Sequence, residues 1–473
     1  MRGREYKPFD WEGKFLNYPI EARNMEVTIK VTLQELIASI LLDIEELNLS
    51  AKNALERAFR NVIERDRERY RGLAHSYVFE ILKWKRRIDF NINSVLKGSQ
   101  LEDLNPLLAN LLRIGTYDLK FKNTPSAIAT DSIIRVVKER FNIKTAKFAN
   151  ALLRGVEEFD ERKALQRLRE RDKIEYLSVK FSHPRWYVEY AIDLLGYDGA
   201  IRLMHSNNRS QRYYVRVNPL KTDIDTLRDY LEEKGVRTAR TPLDDVLKIL
   251  DYKVPLTRLS WYSKGYFVIQ DLASAYVAHV LSPEKGERIL DMAAAPGSKT
   301  FHVAHLMENT GEIVAIDYSR DRLEKMREKM SLLGIKNVKL VHADGRTFRG
   351  GEFDKIILDA PCSSSGTYRQ FPDVKWSFSE EKIKKVIQVQ KEMLRNAYKN
   401  LKKGGEMTYS TCSIRVDENE ENVRYALRKG FELVPHEFTW GERGFTEIGN
   451  EVFRAFTYLH DCNSFFIAKL RKP

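Results

Sequence analysis

Ile289-Leu290-Asp291-Met292-Ala293-Ala294-Ala295-Pro296-Gly297-Ser298-Lys299-Thr300 decides how the chain is read. An apolar run ends in an acid, small and bend-forming residues follow, and a helical pattern begins after them. That sequence of events is strand, loop, helix. It repeats downstream, with strands predicted over 288–293, 312–317, 338–343, 353–359, 405–411 and 464–470. Strand–helix alternation of this kind builds an α/β, Rossmann-like doubly wound sheet with helices on both faces. Such sheets bind ligands beyond the carboxyl ends of their strands.

The chemistry-bearing residues fall at those ends. Ala293, Ala294, Ala295, Pro296 and Gly297 are small enough for a ligand to touch the backbone, and Ser298 and Lys299 open the helix, with Lys299 one turn in. The loop lacks the Gly-x-x-x-x-Gly-Lys spacing of a Walker loop. It also lacks the three spaced glycines of a dinucleotide fingerprint. Asp317 ends the second strand, where an acid commonly takes ribose hydroxyls, and Asp344 follows the third, where it can read an adenine amino group. A small loop with acids at the next two strand ends suits an adenosine without a long phosphate tail. S-adenosyl-L-methionine meets that description.

Asp359-Ala360-Pro361-Cys362 follows the fourth strand and Ser410-Thr411-Cys412-Ser413 the fifth. The cysteines are 50 residues apart, yet neighbouring strand ends bring them into one cleft. A lone free cysteine is usually packing. Two beside a cofactor loop read as chemistry, because a thiolate is a strong nucleophile once its pKa is lowered. Carbon 5 of a cytosine does not take a methyl group directly. Thiolate attack at carbon 6 makes carbon 5 enamine-like, Asp359 suits the acid that supports nitrogen 3 if it is protonated or shares a proton with the base, and a second cysteine suits the elimination.

The rest of the chain reads as delivery. Its 473 residues suggest several domains, and a formal net charge of +13 favours a polyanionic partner. Three cysteines without a CxxC pair make neither a disulfide framework nor a structural zinc site, and no metal is expected. No apolar run approaches the ~20 residues of a membrane span, and no signal peptide is apparent, so a cytoplasmic location is expected. Residues 1–24 have no period; they read as a mobile basic arm, or as residues ahead of a start at Met25. Residues 25–160 read as an all-α domain, with Leu33, Leu36, Ile37, Ile40 and Leu41 at helical spacing, an amphipathic run opening at Arg71, and further runs from Leu107 and from Lys144 to Val156. Alternating charges over 161–180 read as an exposed linker helix. Residues 181–282 read as a small α+β domain, with a strand and turn over Tyr213–Thr222, a helix over Thr226–Lys234 and a strand over Lys264–Asp271. Its aromatics interleave with Arg and Lys, which suits stacking of unpaired RNA bases, although most belong to the core. Residues 283–473 hold the sheet.

Two resemblances sharpen this. Leu112-Arg113-Ile114-Gly115-Thr116-Tyr117-Asp118-Leu119, then Pro125, then Lys147-Phe148-Ala149-Asn150-Ala151-Leu152-Leu153-Arg154, resembles the NusB family of RNA-binding helical domains. The likeness implies RNA contact, with Arg60, Arg71, Arg113 and Arg154 as candidates. The two cysteine motifs and the Ala-Pro-Gly-Ser-Lys-Thr loop, with His183-Pro184, Arg216-Val217-Asn218 and Gln270-Asp271-Leu272-Ala273-Ser274, resemble the RsmB/Nop family of RNA cytosine-5 methyltransferases. That resemblance implies Cys412 as nucleophile and Cys362 as the group assisting release. It implies a cofactor site over 293–299 with Asp317, Asp344 and Asp359, adds Arg322, and gives Lys299 a part in positioning the base or the cofactor. Ala293 stands where the family often has Cys, Ser298 where it has Gly, and Leu459-His460 where Pro-His is usual. The expected substrate is small-subunit ribosomal RNA, handled by a monomer. The alternatives are tRNA, a non-catalytic ribosome-assembly factor, and a DNA cytosine methyltransferase. The last places its nucleophile in the Pro-Cys motif, which the second cysteine argues against.

Overall fold

A computed structural model describes residues 31–60, 62–435 and 440–473. The arm expected over 1–24 lies outside them. The chain divides into two compact units, one ending at Ala164 and one beginning at Leu165.

The first unit is helical, through Leu33–Glu46, Ala51–Phe59, Glu64–Asn93, Pro106–Lys120, Ser126–Arg140 and Ile143–Glu158. The first helix opens on a capping box. Thr32 Oγ1 accepts from Glu35 N at 3.3 Å, and Thr32 N donates to Glu35 Oε2 at 2.9 Å. The apolar stripes meet in one core containing Ile37, Ile40, Val78, Ile81, Leu111, Ile114 and Leu153. Burying each such side chain contributes on the order of 1.5–3 kcal/mol. The helix expected to open at Arg71 starts at Glu64, because the charged Glu64-Arg65-Asp66-Arg67 turn hides its period.

Arg113 is a correction. It was a candidate for RNA contact, but its side chain is 7% exposed and enclosed by acids. Its Nε and Nη2 donate to Asp89 at 2.7 and 3.1 Å, and its Nη1 to Glu45 and Asn110 at 3.0 and 2.9 Å. Helical spacing from the core set its face, which the residue type alone did not reveal. Arg60, Arg71 and Arg154 are exposed.

The second unit holds two sheets. The smaller has strands β1 (Tyr213–Val217), β2 (Val236–Arg240), β3 (Val246–Tyr252) and β4 (Phe267–Ile269), in the antiparallel order β2-β3-β1-β4. The β2–β3 hairpin was not expected, since charged residues interrupt both of its strands. The helix read over Thr226–Lys234 spans Ile224–Glu233, capped by Asp223, whose Oδ1 accepts from Thr226 N.

The larger sheet has strands β5 (Arg288–Asp291), β6 (Glu312–Asp317), β7 (Val338–His342), β8 (Phe353–Asp359), β9 (Leu401–Thr411), β10 (Glu432–Leu433), β11 (Glu442–Arg443), β12 (Val452–Ala455) and β13 (Phe465–Arg471). Its order is β11-β12-β13-β9-β8-β5-β6-β7, with β10 on β13. From β7 to β9 the pairs are parallel; β13, β12, β11 and β10 run antiparallel to their partners. The expected parallel half is present. The antiparallel half beyond β13 was missed, because Val452-Phe453-Arg454-Ala455 is short and its buried arginine looks like surface. Chain order reverses between β5 and β8, and ligands of such sheets bind at that switch point.

Polar contacts tie the two sheets together. His279 Nε2 donates to Asp245 Oδ1 at 3.0 Å and His302 Nε2 to Oδ2 at 2.7 Å. Against its burial, these bonds hold the Asp245 carboxyl far below the usual range. Burial, with Arg216 nearby, pulls His302 down to about 3 and keeps it neutral. Fully buried Arg216 donates to Gln270 Oε1 at 2.9 Å and His305 Nδ1 at 2.8 Å. His302 and His305 lie on the helix Ser298–Leu306, which begins at the cofactor loop.

Candidate active site

The loop after β5 is held by its own acids. Gly297 has φ 100°, where side chains are disfavoured, and a Cβ there would lie 2.4 Å from the Phe301 ring. Asp291 is buried and accepts from Thr300 Oγ1 at 2.7 Å; burial pushes it up to about 6. Asp317, 2% exposed, accepts from Ala295 N at 3.1 Å and Ser319 N at 3.0 Å. Arg322 reaches the same place, with Nη1 3.3 Å from Asp317 Oδ2 and Nη2 bonded to Ala295 O. Asp344 pairs with Arg346 at 2.6 Å at the protein surface, and this pairing lowers its pKa. Ala293 to Gly297 thus meet two carboxylates and a guanidinium. The set fits an adenosine-type ligand, whose hydroxyl and amino groups are donors.

Lys299 is the second residue of its helix, not one turn in. It is 8% exposed, and its Nζ donates to Asp359 Oδ2 at 2.6 Å, while Ser410 Oγ donates to Asp359 Oδ1 at 2.8 Å. Asp359, the acid expected to support the ring, thus accepts hydrogen bonds from both Lys299 and Ser410.

The parallel register of β8 and β9 sets Asp359 opposite Ser410, and Ala360 N donates to Ser410 O at 2.9 Å. Cys362 and Cys412 leave the sheet side by side, with their sulfurs 3.3 Å apart. Both are partly exposed free thiols. Ser364, at φ 53°, places its Oγ 3.5 Å from Cys412 Sγ and 4.0 Å from Cys362 Sγ. A non-glycine residue in that region is uncommon and clusters at functional sites. Gly366 lets the turn lie on β9: Gly366 N donates to Cys412 O at 2.9 Å, and a Cβ would stand 2.2 Å from Ser464 O.

The two sulfurs are not equivalent. The hydrogen bond donated by Cys362, aided by Ser364 and Lys299, lowers the pKa of Cys412 against its burial and the charge of Asp359. The same contact, with burial and the charge of Glu418, raises Cys362 well above its usual value. The contact therefore makes Cys412 the more acidic sulfur of the two and Cys362 the less acidic.

Sequence reasoning missed what braces them. Glu418 is fully buried and accepts from Ser363 N and Oγ at 2.7 and 2.5 Å, Ser413 Oγ at 2.5 Å and Gln390 Nε2 at 3.2 Å. Asn419 Nδ2 donates to Ser413 O at 2.9 Å. Glu420 and Arg454, at 0% and 1% side-chain exposure, form a bidentate pair at 2.8 and 2.5 Å. The signal was Asp417-Glu418-Asn419-Glu420-Glu421-Asn422, which looks like a solvated helix start. Glu418, Asn419 and Glu420 are all fully buried, which the run of charge does not reveal.

Of the aromatics in the smaller sheet's region, Tyr214 and Phe267 are core. Tyr266 ends a half-buried stack with Trp261 and Tyr230, at centroid spacings of 4.5 and 4.1 Å.

Three family models match in succession. NusB family covers 32–158, the RsmF/B-like ferredoxin-like domain 183–256, and 16S rRNA methyltransferase RsmB/F 278–471. Ribosomal RNA small subunit methyltransferase B of Vibrio cholerae is 29% identical over 399 residues, covering 83% of this chain and 88% of that protein. The tRNA (cytosine(72)-C(5))-methyltransferase of Pyrococcus horikoshii is 44% identical over 229 residues, 47% of this chain and 56% of that one. The crystal structure of NSun6 from Pyrococcus horikoshii with SFG, an S-adenosylmethionine analogue, superposes with a TM-score of 0.57 at 32% identity. That match covers 61% of this chain and 98% of the other.

Proposed function

The chain belongs to the RsmB/F family of RNA cytosine-5 methyltransferases, and we propose that it methylates a cytosine of small-subunit ribosomal RNA through a Cys412 adduct. The observation that carries the mechanism is the 3.3 Å approach of two sulfurs, one with a lowered pKa, beside the Lys299–Asp359 pair.

Cys412 Sγ bonds to carbon 6 of the base, which makes carbon 5 enamine-like. Lys299, backed by Asp359, supplies the hydrogen bond that stabilises charge on the ring. S-adenosyl-L-methionine, when bound, supplies the methyl group. Ala293–Ser298, Asp317, Arg322, Asp344 and Asp359 would hold it. A base takes the carbon 5 proton, and the electrons of that bond re-form the carbon 5–carbon 6 double bond. Cys412 leaves with the carbon–sulfur pair as a thiolate, which a hydrogen bond from protonated Cys362 stabilises.

Support for a ribosomal substrate comes from the extent of the likeness. The similarity to the small-subunit enzyme runs through the helical region, whereas that to the tRNA enzyme spans about half of the chain. The test is transfer of radiolabelled methyl groups to ribosomal RNA and tRNA fractions from cells lacking the protein, with mapping of 5-methylcytosine. Label in small-subunit RNA is expected. Label confined to tRNA would overturn the ribosomal assignment and keep the chemistry.

A further inference from the structure

We propose that Glu418 is a positioning residue that decides which of the two sulfurs keeps the proton, holding it on Cys362 so that Cys412 is free to attack. The inference rests on the roles assigned above to Cys412 and Cys362. Glu418 is hydrogen-bonded to neither sulfur. It bridges the residues that follow them: Ser363, by amide and hydroxyl, and Ser413, by hydroxyl. Ser365 closes the bridge, with its Oγ 3.0 Å from Ser413 Oγ and accepting from Ile414 N at 3.1 Å. The two cysteine loops therefore share one buried carboxylate. Among the described residues no basic side chain is bonded to it.

That placement is asymmetric. Glu418 takes the amide next to Cys362, while Lys299 stands on the Cys412 side with Asp359. Tyr409 faces Cys362 from β9 and donates to Glu418 O at 2.6 Å. Arg415 and Tyr368 face Glu418 from the adjoining turns. The charge of Glu418 disfavours a thiolate on Cys362, while on Cys412 the hydrogen bond from Cys362 favours one and Lys299 offsets part of the charge of Asp359. Two thiols 3.3 Å apart share a proton readily, so a fixed field is needed to make one of them the constant nucleophile.

Limiting iodoacetamide on the full chain, over pH 6 to 9, reads this directly. Alkylation joins a thiolate sulfur to the reagent's methylene carbon and expels iodide, and peptide mass spectrometry gives the Cys412 to Cys362 ratio. Buried Cys462 is the internal control. In the unsubstituted protein Cys412 should react at least ~10-fold faster than Cys362 at pH 7. Glu418→Gln should lower that ratio by roughly fivefold or more and move the Cys362 profile to lower pH. Ser363→Ala keeps the charge and should leave the ratio within about twofold. Loosened packing alone would speed both sites without moving the Cys362 profile. Should Glu418→Gln fail to fold, Glu418→Asp withdraws the charge by one methylene, and the ratio should fall about threefold. An unchanged ratio in a folded Glu418 variant overturns the inference and leaves the nucleophile assignment standing. Faster alkylation of Cys362 in the unsubstituted protein overturns both.

Discussion

The two halves of the larger sheet hold their loops by opposite means. On the parallel side, Asp317 and Asp344 are engaged by loop amides and by Arg322 and Arg346, arginines about half exposed to solvent. On the side of β9, β13 and β12, Glu418, Asn419, Glu420 and Arg454 are buried and bonded wholly within the protein. Contacts of the first kind can be exchanged for those of an incoming ligand at small cost. Contacts of the second kind cannot, because an unpaired buried charge is expensive. The cofactor side is built to be rearranged, and the thiol side to stay fixed.

Substitutions can break that contrast or sharpen it. Cys412→Ser should have the largest effect, a loss of methyl transfer on the order of 10³-fold or more with cofactor affinity retained, read by radiolabel transfer and calorimetry. Cys362→Ala should cost about 10²-fold in turnover and leave a protein–RNA adduct that survives denaturing electrophoresis. Normal turnover by that variant, with an adduct formed by Cys412→Ser, would reverse the assignment. Arg454→Met strands Glu420 and should cost about 3–5 kcal/mol in denaturant unfolding. A cost near zero would show that the thiol side is not fixed in the way argued. Asp317→Ala should weaken S-adenosyl-L-methionine binding by roughly 10–100-fold, the worth of hydrogen bonds to a charged group, and cost about 1–3 kcal/mol in unfolding because two loop amides lose their acceptor. Arg346→Ala removes only a surface pair and should change stability by less than about 1 kcal/mol.

Much of this was legible in the sequence because its periodicity is strong. Small residues after Asp291, acids at Asp317 and Asp344, and cysteines after β8 and β9 all fall where strand–helix alternation puts them. The parallel register then makes the approach of Cys362 and Cys412 a geometric consequence. What escaped was polarity turned inward. Arg113, Glu418, Glu420 and Arg454 look like surface residues, and only long-range pairing reveals their burial. The β2–β3 hairpin and β12 escaped for the related reason that charged residues interrupt short strands. Resemblance supplied the expected chemistry of the cysteines, but it did not expose the carboxylate that braces them.

Asp245 belongs to the smaller sheet's region, and both histidines bonded to it belong to helices packed against the larger sheet. One of those helices carries Lys299 at its start. On the proposed reading, RNA held by the ferredoxin-like region would be kept at a set distance from Cys412. The second unit acts as a caliper with its jaws locked. On that reading, lengthening the RNA between the held segment and the target cytosine by one nucleotide should be punished more than changing a neighbouring base.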